Sequence, residues 1–163
     1  MWSGSTGRLV PDFYYVNVRV HWADTDAAGI VWFGNFLRFF EEAEDELFRA
    51  LGRTRIELIR DFGILMPRLD ATCRFRSPAR AEEVLEIGVA VREMTDRRIA
   101  YLFEARQRDT ASLVCEGEYR VACVSADTFK SRDFPPAMRT LIDRLPRLIQ
   151  EQRSGGPRPA GWA

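Results

Sequence analysis

Between positions 35 and 51 apolar residues recur three and four apart: Phe36, Phe39, Phe40, Ala43, Leu47, Ala50 and Leu51. Arg38, Glu41, Glu42, Glu44, Asp45, Glu46 and Arg49 fill most of the other positions. That is the period of an α-helix, and the apolar stripe is wide enough to lie against a sheet. Asn35 is placed to cap its start and Gly52 to stop it. A shorter helix is expected over 54–62, with Thr54 as cap and Gly63 as end. Strand-like stretches then cover 64–66, 69–75, 84–94, 99–107 and 113–125, parted by turns at 77–80, 95–97 and 108–111. The last three long strands are joined by short turns and so form an antiparallel meander. Ahead of the long helix, Val16, Val18, Val20 and Trp22 alternate with Asn17, Arg19 and His21, which gives a strand over 15–22 with one buried face. One long helix with a run of antiparallel strands is an α+β pattern.

The 163 residues fit one domain, placed at 13–152. Pro135-Pro136 opens its helical C-terminal segment, which Pro146 interrupts; flexible ends are expected at 1–12 and 153–163. At 46% hydrophobic residues the chain can bury a core. Its 24 Lys and Arg balance 24 Asp and Glu, so an anionic ligand must be held by a local cluster, and nucleic acid is not an expected partner. Cys73, Cys115 and Cys123 form no CxxC pair and are read as reduced, mostly buried thiols. The segment before Pro11 lacks an apolar stretch of signal-peptide length, and no apolar run approaches the ~18–20 residues of a membrane span. The chain therefore reads as cytoplasmic, without a membrane partner. Dinucleotide, Walker-type, nucleophile-elbow and metal patterns are all missing from it, so no metal and no cofactor are expected.

The chemistry lies where the first strand meets the long helix, in Asp24-Thr25-Asp26-Ala27-Ala28-Gly29-Ile30-Val31-Trp32-Phe33-Gly34-Asn35. Asp26 can face a cleft there, and either attack the carbonyl of a reactive acyl group or take a proton from a water that does. The other reading is that Asp26 only satisfies turn N–H groups. Asp24 is expected to bond to nearby backbone and shape the loop. The backbone N–H groups of Phe33 and Gly34, near the helix start, are unpaired donors in a region of partial positive charge, suited to a developing oxyanion. His21, the chain's single histidine, alternates away from Val20 and Trp22 and is read as structural or as a pocket edge.

This ordered combination of strand, Asp-Thr-Asp, Ala-Gly, apolar pair, aromatic, Gly-Asn and long helix resembles the 4-hydroxybenzoyl-CoA thioesterase family of hot-dog-fold acyl-CoA thioesterases. The resemblance runs over roughly residues 13–135 and is strongest at 18–35. It implies a curved antiparallel sheet wrapped round a long central helix, and hydrolysis of an acyl-CoA to free acid and CoA. Asp26 matches the aspartate that carries the reaction and Phe33 the position whose N–H holds the oxyanion. Glu41 matches an acidic position that meets the ring hydroxyl in 4-hydroxybenzoyl-CoA members; as Glu rather than Asp its reach differs, and a solvated face or subunit interface is the competing reading. Trp32, Phe36, Met66 and Pro67 are candidate acyl-pocket walls, with plain core as the alternative. Arg97 and Arg98, with Lys130 and Arg132, match places where the family binds the nucleotide part of CoA; Arg74, Arg76 and Arg80 form a third basic group. The family builds its active site at a subunit interface, so self-association as a homodimer or homotetramer is implied. Two rivals remain: a hot-dog hydratase or dehydratase, opposed by the lack of a histidine over 35–51, and a non-catalytic acyl-CoA or acyl-carrier binding module.

Overall fold

The structure, a computed structural model, describes residues 11–156, so most of both expected flexible ends lies outside the described residues. In chain order the elements are β1 (Tyr14–Arg19), a 3-10 turn (Trp22–Asp24), α1 (Asn35–Ala50), α2 (Arg55–Phe62), β2 (Ile64–Leu65) and β3 (Arg68–Phe75). After them come β4 (Val84–Met94), β5 (Arg98–Gln107), β6 (Leu113–Ala122), β7 (Val124–Ser125), α3 (Pro136–Ile142) and α4 (Leu145–Arg153). Five strands make one antiparallel sheet in the order β1-β4-β5-β6-β3, and β2 pairs with β7 in a separate ribbon. The meander β4-β5-β6 is as expected, and α1 packs on the β1-β4 side of this sheet.

The helix seats itself through aromatic packing. Phe39, Phe40, Leu47 and Phe48 are fully buried, and each contributes about 1.5–3 kcal/mol by leaving water. The register Val89↔Phe103↔Gly117 puts these residues on one face of the sheet. Phe40 stacks on Phe103 with centroids 4.7 Å apart. A Cβ at Gly117 would lie 2.5 Å from Phe40 Cε2 and 2.9 Å from the Thr72 carbonyl. Gly117 is therefore the slot into which the helix aromatic sinks.

α2 follows its sequence signals closely. Thr54 Oγ1 accepts from Glu57 N at 3.2 Å, Glu57 Oε2 accepts from Thr54 N at 2.7 Å, and Gly63 ends the helix at φ 64°.

Several expectations are corrected. β1 stops at Arg19, where its pairing with β4 ends, and the 3-10 turn swings Trp22 out to 84% exposure rather than onto the buried face. Asn35 is not the cap of α1 but its first residue; Gly34 flanks the helix, and the Asn35 side chain instead donates to the Asp24 carbonyl at 2.9 Å. Ala50 is exposed and Phe48 takes its place in the core, while Glu42 and Glu44, expected on the solvated face, are buried. The stretch 113–125 is two strands, broken at Cys123 because its N–H donates to the Arg97 carbonyl at 2.8 Å and its own carbonyl accepts from Arg132 N at 3.1 Å. α4 runs to Arg153, whose guanidinium pairs with Asp12 at 2.6 Å.

The two edges of the sheet differ. On β1, Tyr15 N donates to Gln152 Oε1 at 2.8 Å and Gln152 Nε2 donates to Tyr15 O at 2.9 Å, so an α4 side-chain amide bonds as a neighbouring strand would. β3, at the other end, has no strand partner on its outer side among the described residues, and most of its residues are exposed.

Candidate active site

The loop between β1 and α1 is closed by short-range bonds. Thr25 bridges to Val31, Asp26 N donates to Ile30 O at 2.9 Å, and Gly29 N donates to Asp26 O at 2.9 Å. Gly29 sits at φ 73°, in the left-handed region glycine tolerates. Asp26 Oδ1 accepts from Ala28 N at 2.8 Å, and the residue is exposed at the tip of this turn. Its carboxylate thus serves the turn and is open to solvent at the same time.

Asp24 does the bracing. It is 6% exposed; Oδ2 accepts from His21 N at 2.8 Å and Oδ1 from Arg38 Nη2 of α1. Its carbonyl accepts from Trp32 N at 2.9 Å as well as from Asn35. The local backbone bond was expected; the ion pair to Arg38 was missed, because nothing in sequence marks an arginine fourteen positions away. His21 is half-buried, with Nε2 enclosed, consistent with a structural role.

Trp32 N therefore points back to Asp24, whereas the N–H groups of Phe33 and Gly34 meet no acceptor among the described residues. They lie just ahead of a 16-residue helix, where the axial dipole adds positive potential. The Trp32 ring covers Gly34 so closely that a Cβ there would lie 2.2 Å from it, so position 34 must be glycine if the ring is to lie flat. Trp32 and Phe33 are exposed and touch each other at 4.9 Å between centroids. Phe36 is not on this surface: it is 4% exposed and packs edge-on against Phe39 and at a tilt against Phe75.

Glu41, Met66 and Pro67 come together elsewhere, on a cavity of about 300 Å³ further along α1. Arg55, Arg68 and Phe129, absent from the expected site, also line it. Beneath lies a buried polar cluster. Glu44, fully buried, accepts from Tyr119 OH and from Arg68 Nη2 at 2.5 Å, and pairs with Arg55 at 3.2 Å. Arg68 reaches Glu41 only at 4.0 Å. Burial, reinforced by Glu44, raises the Tyr101 and Tyr119 hydroxyls well above the usual phenol range.

The two expected basic groups are brought together, because Cys123 is bonded to Arg97 on one side and Arg132 on the other. Arg97 is already paired with Asp133 at 2.5 Å. Arg98, Lys130 and Arg132 are exposed and carry no ion pair among the described residues. Arg80 lies by the Asp26 turn, 3.5 Å from the Gly29 carbonyl, while Arg76 pairs with Glu116. Among the described residues no cluster of His, Cys, Asp and Glu is arranged to hold a metal, all three cysteines are free, and no helix is long and apolar enough to cross a membrane.

The model of the thioesterase-like superfamily matches residues 20–142, a span that includes the whole Asp24–Gly34 loop and the meander. The chain belongs to the thioesterase-like superfamily. Its curved sheet and central helix are the hot-dog fold, and the family match together with relatives named acyl-CoA thioesterase makes it a thioester hydrolase. The acyl-CoA thioesterase YbgC of Haemophilus influenzae is 28% identical over 128 residues, covering 78% of this chain and 93% of that one. A 1,4-dihydroxy-2-naphthoyl-CoA thioesterase from Synechocystis superposes with a TM-score of 0.75 at 23% identity, over 82% of this chain and 98% of that one. The gentisyl-coenzyme A thioesterase BH1999 superposes at 0.70 with 26% identity, over 78% and 98%.

Proposed function

We propose that this hydrolase cleaves an acyl-CoA carrying an aromatic or short-to-medium acyl group, with Asp26 as the reacting carboxylate. The observation that carries the reading is the juxtaposition in one closed loop of a solvent-open carboxylate and two N–H groups without an acceptor, at Phe33 and Gly34. Asp26 attacks the carbonyl carbon, or takes the proton of an attacking water; the carbonyl oxygen gains negative charge and accepts from Phe33 N–H, joined by Gly34 N–H; the tetrahedral species then expels CoA as thiolate, which leaves either an Asp26 anhydride that water cleaves to the free acid, or the free acid directly with the Asp26 proton passing to the thiolate. One such donor is worth about 3–4 kcal/mol in the transition state. No cofactor enters, since CoA belongs to the substrate.

Arg98, Lys130 and Arg132 are the cations for the nucleotide phosphates; Arg97 serves less well, since Asp133 already neutralises it. Relatives named for aryl-CoA substrates support the aromatic reading, and the cavity by Glu41 has room for such a group. The open β3 edge, against a β1 edge closed by Gln152, supports self-association through β3 as a dimer that completes the site. A binding module would use the Asp26 carboxylate only for its turn bond to Ala28 N, so turnover is what separates the two readings.

The test is thiol release from benzoyl-, 4-hydroxybenzoyl-, phenylacetyl- and straight-chain CoA esters by wild type and Asp26→Asn. The expected result is wild-type turnover that falls by about 10²–10⁴ in the variant. Undiminished turnover in Asp26→Asn removes that residue from the mechanism. Tight ester binding with no turnover of any ester favours the binding module.

A further inference from the structure

Phe129 combines two features that folding alone disfavours. It holds φ 57°, left-handed backbone that a bulky residue adopts rarely, and its ring is 62% exposed. The loop is built to keep it there. Phe129 N donates to Ser125 O and Ser125 N donates to Lys130 O, both at 2.9 Å. Ser125 Oγ also accepts from Asp127 N and Thr128 N at 3.3 Å. β7, which precedes the loop, pairs with β2, and Ala126 N donates to Gly63 O at 2.9 Å. The loop is thus tied to the segment that carries Ile64, Leu65 and Met66, three walls of the cavity that Phe129 itself lines. Glu41 and Arg68, 4.0 Å apart, are its polar edge. The result is a small apolar slot with one charged side and an aromatic wall whose backbone is held in place, and the cation Lys130 is the next residue along the chain from that wall.

From this we infer that Phe129 is a specificity-determining residue: its ring is a planar wall that stacks on a flat, aromatic acyl group and favours it over straight chains of similar size. The inference rests on the acyl-CoA hydrolase reading and names the substrate class of that site. Strained backbone persists where the surroundings over-determine it, and aromatic stacking on a flat ligand gives the exposed ring a partner.

The test compares benzoyl-CoA with hexanoyl-CoA in wild type, Phe129→Gly and Phe129→Tyr. Glycine relieves the left-handed backbone, so Phe129→Gly is expected to melt about 2–4 °C higher than wild type. Its KM for benzoyl-CoA rises about tenfold, the change expected when a stacked aromatic contact worth one factor of ten is removed. KM for hexanoyl-CoA changes by less than about threefold, kcat is retained, and Phe129→Tyr keeps the wild-type preference. Equal effects on both esters, or an unchanged KM for benzoyl-CoA, overturn the inference. So does a lower melting temperature in Phe129→Gly, which would make the loop a folding element. If no ester is turned over, the hydrolase reading fails by itself, and calorimetric binding of the same two esters reads the Phe129 preference with the same expected and overturning outcomes.

Discussion

Removing the Glu44 carboxylate is expected to be among the most damaging single changes in the core. Glu44 is fully buried and accepts from Arg68 at 2.5 Å, from Tyr119 OH, and faces Arg55 at 3.2 Å. Taking one partner out of a buried ionic group costs about 3–5 kcal/mol, because the remaining charges stay desolvated. Two facts pull the figure toward the lower end: the Arg68 and Arg55 side chains are 30% and 25% exposed, and Arg55 retains Asp45 at 2.6 Å. We therefore assign about 3 kcal/mol to the lost charge in Glu44→Ala, and about 1 kcal/mol to the void left behind. At about 2–4 °C per kcal/mol for a chain of this size, the melting temperature falls by about 8–16 °C. Glu44→Gln keeps the volume and an acceptor and should lose less than the alanine variant. Urea unfolding monitored by circular dichroism gives the free energies directly. A loss below about 1 kcal/mol in Glu44→Ala would refute the reasoning, since it would mean that both arginines find water without cost.

Gly117→Ala places a Cβ against Phe40 and the Thr72 carbonyl, the latter unable to move without the strand; a loss of about 1–3 kcal/mol is expected in the same unfolding assay. Gly34→Ala should leave stability nearly unchanged, because the half-exposed Trp32 ring can swing away, yet lower kcat by displacing the aromatic beside the proposed oxyanion donors; unchanged kcat would argue against that geometry. Gln152→Ala opens the β1 edge, costs about 1–2 kcal/mol for two lost hydrogen bonds, and should increase the light scattering of concentrated samples. Tyr14, pushed up to about 12 by burial and then by Glu46, and Tyr101 and Tyr119, raised well above the usual phenol range by burial, stay protonated in the fold where the unfolded chain ionises near pH 10. Their contribution is complete below pH ~10 and is lost as pH rises above it, by about 1.4 kcal/mol per pH unit for each tyrosine, so stability measured from pH 9 to 11 should fall steeply.

Local signals carried far in this chain. The capping box at Thr54 and Glu57 and the stop at Gly63 are visible because each is settled within four residues, the first by side-chain-to-backbone bonds and the second by the Gly63 N–H donating to the Ile59 carbonyl. The Asp24–Gly34 loop was legible for the same reason: its turn is closed by Asp26, Ala28 and Gly29 among themselves. Where the reading failed, the cause was a partner distant in sequence. Trp22 continues the alternation of β1 on paper, but the strand ends when β4 stops pairing with it. Cys123 interrupts an apparently continuous strand through bonds to Arg97 and Arg132. Phe129 gave no signal, since neither a left-handed phenylalanine nor a shared cavity wall can be seen in a residue string.

The sequence by itself determined the α+β class, the long helix, the meander and the placing of an acidic turn ahead of a helix start, all of which follow from periods and turns acting over a few residues. Only the tertiary structure decided which charges are buried and which edge is closed. On paper Glu44 is one more acid on a polar helix face; in the fold it meets Tyr119, seventy-five positions away, and two arginines. Gln152 reads as surface, yet it bonds the backbone of Tyr15 across 137 positions. Burial and pairing of this kind depend on which surfaces the chain folds together, and no local period encodes that.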